Sequence, residues 1–181
     1  MSEPAPSHAV AETVRRLHAP EAAARMHELA DLLVDAVAHG ASVNFLAGLE
    51  PTRARQFWEG TQPGLQSGAT QLFVAERDGR MIGTALLFLA QQPNQPHRGD
   101  VGKMLVHSGE RRRGVGRRLL AAAEAAAVLQ GRTLLMLDTT SGSAGDALYR
   151  AQGWTDYGRV PGHALDPAGL PTETTFFFKR L

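Results

Sequence analysis

Arg111-Arg112-Arg113-Gly114-Val115-Gly116 joins a strand-like run, Val101 to Val106, to an Ala/Leu-rich helix beginning near Gly114. A strand that delivers the chain into a glycine-containing loop at a helix N-terminus aims several backbone N–H groups at one point, where the helix dipole favours an anion. Gly114 and Gly116 lack a Cβ, so a phosphate can approach the main chain closely. The neighbouring arginines supply countercharge. The segment therefore predicts a strand, a loop and a helix that together cradle a pyrophosphate.

Other phosphate loops do not fit. A Walker-type loop needs Gly-Lys followed by Ser or Thr, but Arg117-Arg118 follow Gly116. A dinucleotide fingerprint needs a third small residue where Leu119 stands, and it lies near the start of a βαβ domain rather than past its middle. What remains is Arg-x-x-Gly-x-Gly between a strand and a helix. After it come a predicted helix from Val115 to Gln130, a strand Leu134-Leu135-Met136-Leu137-Asp138, and Tyr149-Arg150-Ala151-Gln152-Gly153-Trp154 on a second helix.

This order and spacing resemble the GNAT superfamily of N-acetyltransferases over roughly half the chain. Within it, the stretch from Asp100 to Leu181 looks most like the tabtoxin-resistance acetyltransferases. Asp100-Val101-x-Lys103-Met104-Leu105-Val106, Leu137-Asp138-Thr139-x-x-Gly142-Ser143 and Pro161-Gly162 with Pro167 carry that closer similarity, together with a final strand ending Phe178-Lys179. The implied fold is α/β (α+β), with a mixed, mostly antiparallel central sheet flanked by helices.

The resemblance also implies a cosubstrate, acetyl-CoA, lying where two central parallel strands part. Its pantetheine arm would pair with the backbone of Met104, Leu105 and Val106 as an added strand does at a sheet edge. Its pyrophosphate would sit on Arg111, Arg112, Arg113, Gly114, Val115, Gly116 and Arg117. Many GNAT members place an Asn before the second helix. Here Thr139-Thr140-Ser141-Gly142-Ser143 stands instead, so Ser143 is expected to cap that helix and only secondarily to touch the cofactor.

Acyl transfer needs a neutral amine, a donor for the oxyanion and an acid for the departing thiolate. Tyr149 holds the superfamily's acid position. A phenol of pKa about 10 is protonated at neutral pH and can serve a thiolate whose conjugate acid lies at about 8.5. Asp138, ending its strand, and Asp100, starting the central one, are alternative groups for orienting or deprotonating the incoming ammonium; Asp138 is equally a residue that turns the following loop. Asn44, Phe45 and Trp58 fall in the N-terminal segment that shapes the acceptor pocket in GNAT proteins, with Asp138 facing them as a further substrate contact. An aromatic on a helix is, however, more often core.

Composition bounds the rest. The chain has 181 residues, enough for one domain over residues 10–181 behind a disordered tail at 1–9. It has no Cys, which excludes disulfides and thiolate chemistry and suits a cytoplasmic setting. The seven His show no metal-ligand spacing, and no Gly-x-Ser-x-Gly elbow occurs, so neither a metal nor a serine acyl-enzyme is expected. No apolar run approaches the ~20 residues a membrane helix requires. A net charge of +1 argues against general nucleic-acid binding, while the local arginine cluster suits a compact polyanion.

The function expected is transfer of acetyl from acetyl-CoA to the primary amine of a small molecule, an amino-acid-like antibiotic being the acceptor the closer resemblance implies, by direct attack in a ternary complex. Acetylation of a protein N-terminus or lysine, and CoA sensing without turnover, are the alternatives. GNAT proteins often pair through terminal strands, which makes a homodimer one expected arrangement.

Overall fold

The computed structural model describes residues 12–181; the predicted tail lies outside them. In chain order the elements are β1 (Glu12–Leu17), α1 (Ala19–Ala24), α2 (Met26–Ala38), α3 (Pro51–Ser67), β2 (Thr70–Arg77), β3 (Arg80–Leu89), β4 (Arg98–Val106), α4 (Val115–Leu129), β5 (Leu134–Thr140), α5 (Ala144–Ala151), β6 (Thr155–Leu165) and β7 (Pro171–Arg180). One seven-stranded sheet runs in the order β1-β2-β3-β4-β5-β7-β6, and only β4 and β5 pair in parallel. This is the mixed, mostly antiparallel α/β architecture expected.

The sheet is covered on both faces, so its inner strands read as nearly continuous apolar runs rather than as alternations. Leu72 and Val74 of β2 join Leu29, Leu33 and Trp58 from α2 and α3 in one core. Phe73 and Ala75 point the other way, into a second core with Leu119, Leu120 and Ala123 of α4 and with Tyr149 and Trp154. Asp78 (φ 52°) and Gly79 (φ 76°) both take left-handed backbone in the tight turn between β2 and β3, as the Asp-Gly signal predicts.

Two helices depart from the expected pattern. A single helix from Pro20 to His39 is predicted, but Arg25 interrupts it with φ −107° and ψ 24°. Its guanidinium reaches Glu28, three residues on, at 2.7 Å, and also Glu76 on β2 and the Gly79 carbonyl, the last two being tertiary partners that no local pattern displays. The helix expected to start over Pro51 to Glu59 continues to Ser67, through Pro63. The strand β6 likewise runs on through Pro161-Gly162 to Leu165, accommodated by a register irregularity between Val160 and Ala164.

Two features of the centre create a cleft. β4 and β5 pair only at Arg98–Leu134, Gly99–Leu135 and Asp100–Met136, and then part. A β-bulge opposite β3 lies in the same stretch, since Thr84 faces Leu105 while Leu86 faces Gly102. At the bulge Lys103 adopts φ 46°, and the buried Thr84 hydroxyl donates to the Lys103 carbonyl at 3.1 Å. The extra residue reverses the side-chain alternation. Val101 consequently faces the α4 core and Leu105 the α2–α3 core, though four residues apart they would share a face of a regular strand.

Gly83 of β3 lets α4 settle on this region. A Cβ there would meet the Leu105 carbonyl oxygen at 2.8 Å, Leu119 Cδ1 at 2.9 Å and Val115 Cγ1 at 3.1 Å. Because one of these atoms is backbone, Gly83→Ala is expected to destabilise the protein by ~1–3 kcal/mol, as overpacking does. A chemical denaturation midpoint equal to that of the unsubstituted protein would show that the helix is not held this tightly.

Candidate active site

The gap between the parted strands is a cleft of about 750 Å³, lined by Val101 to Val106 on one side and by Asp138 to Thr140 with α5 residues on the other. Beyond Asp100, β4 has no β5 partner on this side, so its backbone borders open space. Unpaired strand edges satisfy their N–H and C=O groups with water or with an added extended chain.

At one end of the cleft stands the N-terminus of α4. Gly114 is its N-cap in left-handed backbone (φ 77°, ψ 6°), and no side chain caps the helix. Its first N–H groups are thus left to an outside acceptor. Arg111, Arg112 and Arg117 line this end. Gly116 allows α5 to approach, since a Cβ there would lie 3.2 Å from Leu148 Cδ2.

The loop entering the helix is tied down from behind. Asp35 of α2 accepts from the Ser108 N–H at 2.7 Å and from its hydroxyl at 2.8 Å. Burial works against this carboxylate, but the two Ser108 bonds and the flanking His107 and His39 hold its pKa below the usual range. Arg111 donates to the His39 carbonyl at 3.1 Å. Arg77 bridges Glu12 and Glu110, and Arg118 pairs with Glu12, so these charges brace the loop.

At the other end Tyr149 is 6% exposed, its ring against Trp154 and Phe177. Burial first, and then the charge of Asp138, push its phenol well above the usual range. Asp138 is exposed in the cleft wall at the end of β5. Its charge also reaches Asp100, whose carboxyl is raised chiefly by burial against the pull of Arg98, and Lys103, whose ammonium burial lowers to about 8. Asp138 is the electrostatic centre of this end.

A model of the acetyltransferase (GNAT) family matches residues 26–154, more than half the chain. The chain belongs to the GNAT family. Solved structures share its fold. A ribosomal-protein-alanine N-acetyltransferase from Brucella melitensis is 22% identical, with 93% of this chain and 99% of that one covered and a TM-score of 0.73. The Salmonella typhimurium protein yncA, determined with its cofactor acetyl-CoA, is 19% identical over 94% of both chains, with a TM-score of 0.74. A candidate phosphinothricin N-acetyltransferase is 18% identical over 94% of this chain and 99% of that one, with a TM-score of 0.76.

Within this GNAT fold, the predicted residues separate into two groups. Met104, Leu105, Val106, Arg111, Arg112, Gly114, Val115, Gly116, Arg117, Asp138, Ser143 and Tyr149 all line the cleft. Ser143 caps α5, accepting from the Asp146 N–H at 3.2 Å. The others are not in its wall. Arg113 lies 3.4 Å from Glu110 and Asp100 3.5 Å from Arg98. Trp58 is fully buried in the α2–α3 core, with no partner for its indole N–H among the described residues. Phe45 packs edge-on against Phe57, and Asn44 is an exposed turn residue at φ 72°.

Sequence reasoning gave no role to three features that build the site. In the sequence Lys103 stands only within the Asp100–Val106 motif, and nothing there signals its left-handed backbone. Asp35 lies 73 residues from the Ser108 it holds, too far for local patterning. Across the mouth, Ser42 donates to the Leu165 carbonyl at 3.2 Å and the Ala47 N–H to the Pro167 carbonyl at 2.7 Å. These bonds bridge the α2–α3 loop to the β6–β7 loop, and Val43 and Asp166 beside them line the cleft.

Proposed function

We propose that this protein transfers acetyl from acetyl-CoA to the primary amine of a small, amino-acid-like molecule, by direct attack in a ternary complex. The observation that carries the reading is one continuous cleft with an uncapped, glycine-started helix at one end and a buried phenol beside a carboxylate at the other. The α4 N–H groups and Arg111, Arg112 and Arg117 hold the pyrophosphate. The backbone of Met104 to Val106 pairs with the pantetheine arm, and Ser143 borders it.

Asp138 attracts the acceptor as an ammonium and takes or relays the proton that must leave before nitrogen can attack. As the C–N bond forms and the C–S bond breaks, a backbone N–H of the parted β4 edge stabilises the oxyanion. Tyr149 meets the departing thiolate. Burial raises this phenol, so complete proton transfer to sulfur is more uphill than an ordinary tyrosine would make it. Its contribution is a hydrogen bond to the developing thiolate, which is protonated fully once solvent returns. Asp100, outside the cleft wall, acts on the site through its field.

A small acceptor suits the mouth better than a polypeptide. The Ser42 hydroxyl and the Ala47 N–H tie the α2–α3 loop to the end of β6 and to the β6–β7 loop, which narrows the mouth on that side. The similarity to the candidate phosphinothricin N-acetyltransferase supports the same class, as does the sequence resemblance to the tabtoxin-resistance enzymes. The test is acetyl-CoA-dependent thiol release with a panel of small amines, amino acids and peptides. Release with small amines is expected; release with peptides alone would assign a protein acceptor. Tight CoA binding without any release would make the protein a sensor.

A further inference from the structure

The acceptor end of the cleft holds a single lysine among carboxylates. Lys103 is fixed by the bulge at φ 46°, and its Nζ donates to the Val43 carbonyl at 2.8 Å. The same nitrogen lies 4.9 Å from the Phe57 ring centroid and 5.7 Å from that of Phe45. A carbonyl and two ring faces orient a cation without neutralising it. This clamp occupies one of three N–H donors. Asp138 acts on Lys103 through space, with no hydrogen bond between them.

A partly desolvated ammonium is costly unless something compensates it. It is also a poor neighbour for an incoming ammonium, which the site must admit if it acetylates amines. Both difficulties disappear if the acceptor carries its own anion. Asp138 and Asp166, in the same cleft wall, then face its ammonium, while Arg111, Arg112 and Arg117 are at the donor end. Lys103 is the cation the cleft offers on the acceptor side.

We infer that Lys103 is a specificity-determining residue that binds the carboxylate of the acceptor, so that the preferred substrates are zwitterions with the ammonium directed to Asp138. This rests on the acetyltransferase reading above and sharpens its substrate class. A residue that served only to tie the Val43 loop to β4 would leave substrate preference untouched.

The experiment compares kcat/KM for matched pairs at saturating acetyl-CoA: L-lysine with cadaverine, and L-phenylalanine with phenethylamine, each rate corrected for its neutral-amine fraction. A charged hydrogen bond at this site predicts that the unsubstituted enzyme favours the carboxylate-bearing member by about tenfold or more. Lys103→Met should remove most of that preference by slowing the amino acids, leaving the decarboxylated amines and the KM for acetyl-CoA nearly unchanged. Lys103→Arg should retain more preference than Lys103→Met.

Equal losses on both members of each pair, or a preference of the unsubstituted enzyme for the decarboxylated amines, would overturn the inference while leaving the acetyltransferase reading intact. Donor binding with no thiol release from any amine would remove both. If the Met variant does not fold, Lys103→Gln serves in its place and should likewise lose most of the carboxylate preference; a preference equal to that of the unsubstituted enzyme would overturn the inference.

Discussion

Tyr149→Phe is expected to lower kcat by about two orders of magnitude, the range that a positioned acid commonly contributes. The change deletes one oxygen and keeps the ring against Trp154 and Phe177, so the melting temperature should barely move. The KM for acetyl-CoA should hold too, because the proposed pyrophosphate site is built from other residues, at the start of α4. Rapid-quench measurement of product formation separates chemistry from release. A kcat within about twofold of the unsubstituted enzyme would leave Tyr149 only a packing role. Burial adds a pH signature: a phenol pushed upward stays protonated through the alkaline range where an exposed tyrosine ionises. No loss of activity assignable to Tyr149 is therefore expected up to about pH 10, the ordinary tyrosine pKa.

Gly114→Val should weaken acetyl-CoA binding by about tenfold or more while sparing kcat at saturating donor. The cause is conformational. A Cβ at this position meets only Arg118 Nη1, at 3.2 Å, the end of a flexible side chain, so direct collision is minor. The backbone at φ 77° and ψ 6° is another matter, since L-residues pay ~1–2 kcal/mol for left-handed geometry and β-branched ones more. The loop relieves that strain by rotating, and rotation turns the first N–H groups of α4 away from the phosphate. Calorimetric titration with CoA measures the loss. An unchanged Kd with depressed kcat would mean that the helix start does not hold the donor.

The β2–β3 turn, the glycine start of α4 and the α5 cap were legible in the residues because their causes are local, while the fold was implied by the motif resemblance. Asp78-Gly79 dictates a tight hairpin. Gly114 and Gly116 before an Ala/Leu helix mark a helix start without a side-chain cap, and Ser143 before Ala144 marks a capped one. The acceptor end was less legible. Phe45, Trp58 and Asn44 were read as pocket residues from their place in the chain. Yet Trp58 is a fully buried core residue and Asn44 a turn, because which face of a helix or loop looks inward depends on partners tens of residues away. Asp100 and Asp138 are neighbours only because β4 and β5 pair in parallel, with Asp100 opposite Met136, and just one of them, Asp138, borders the cleft.

By itself the sequence determined the strand, loop and glycine-started helix of the proposed diphosphate site, since these follow from backbone preferences within a few consecutive residues, while the resemblance of its motifs to the GNAT superfamily implied the α/β fold. Only the tertiary structure decided how the cleft opens and what stands in it. β4 and β5 part after Asp100 and Met136, and one extra residue at Lys103 reverses the facing of the strand beyond it and leaves its ammonium within the field of Asp138. A bulge arises from the fit of a strand to its neighbours, and that fit is a property of the assembled sheet.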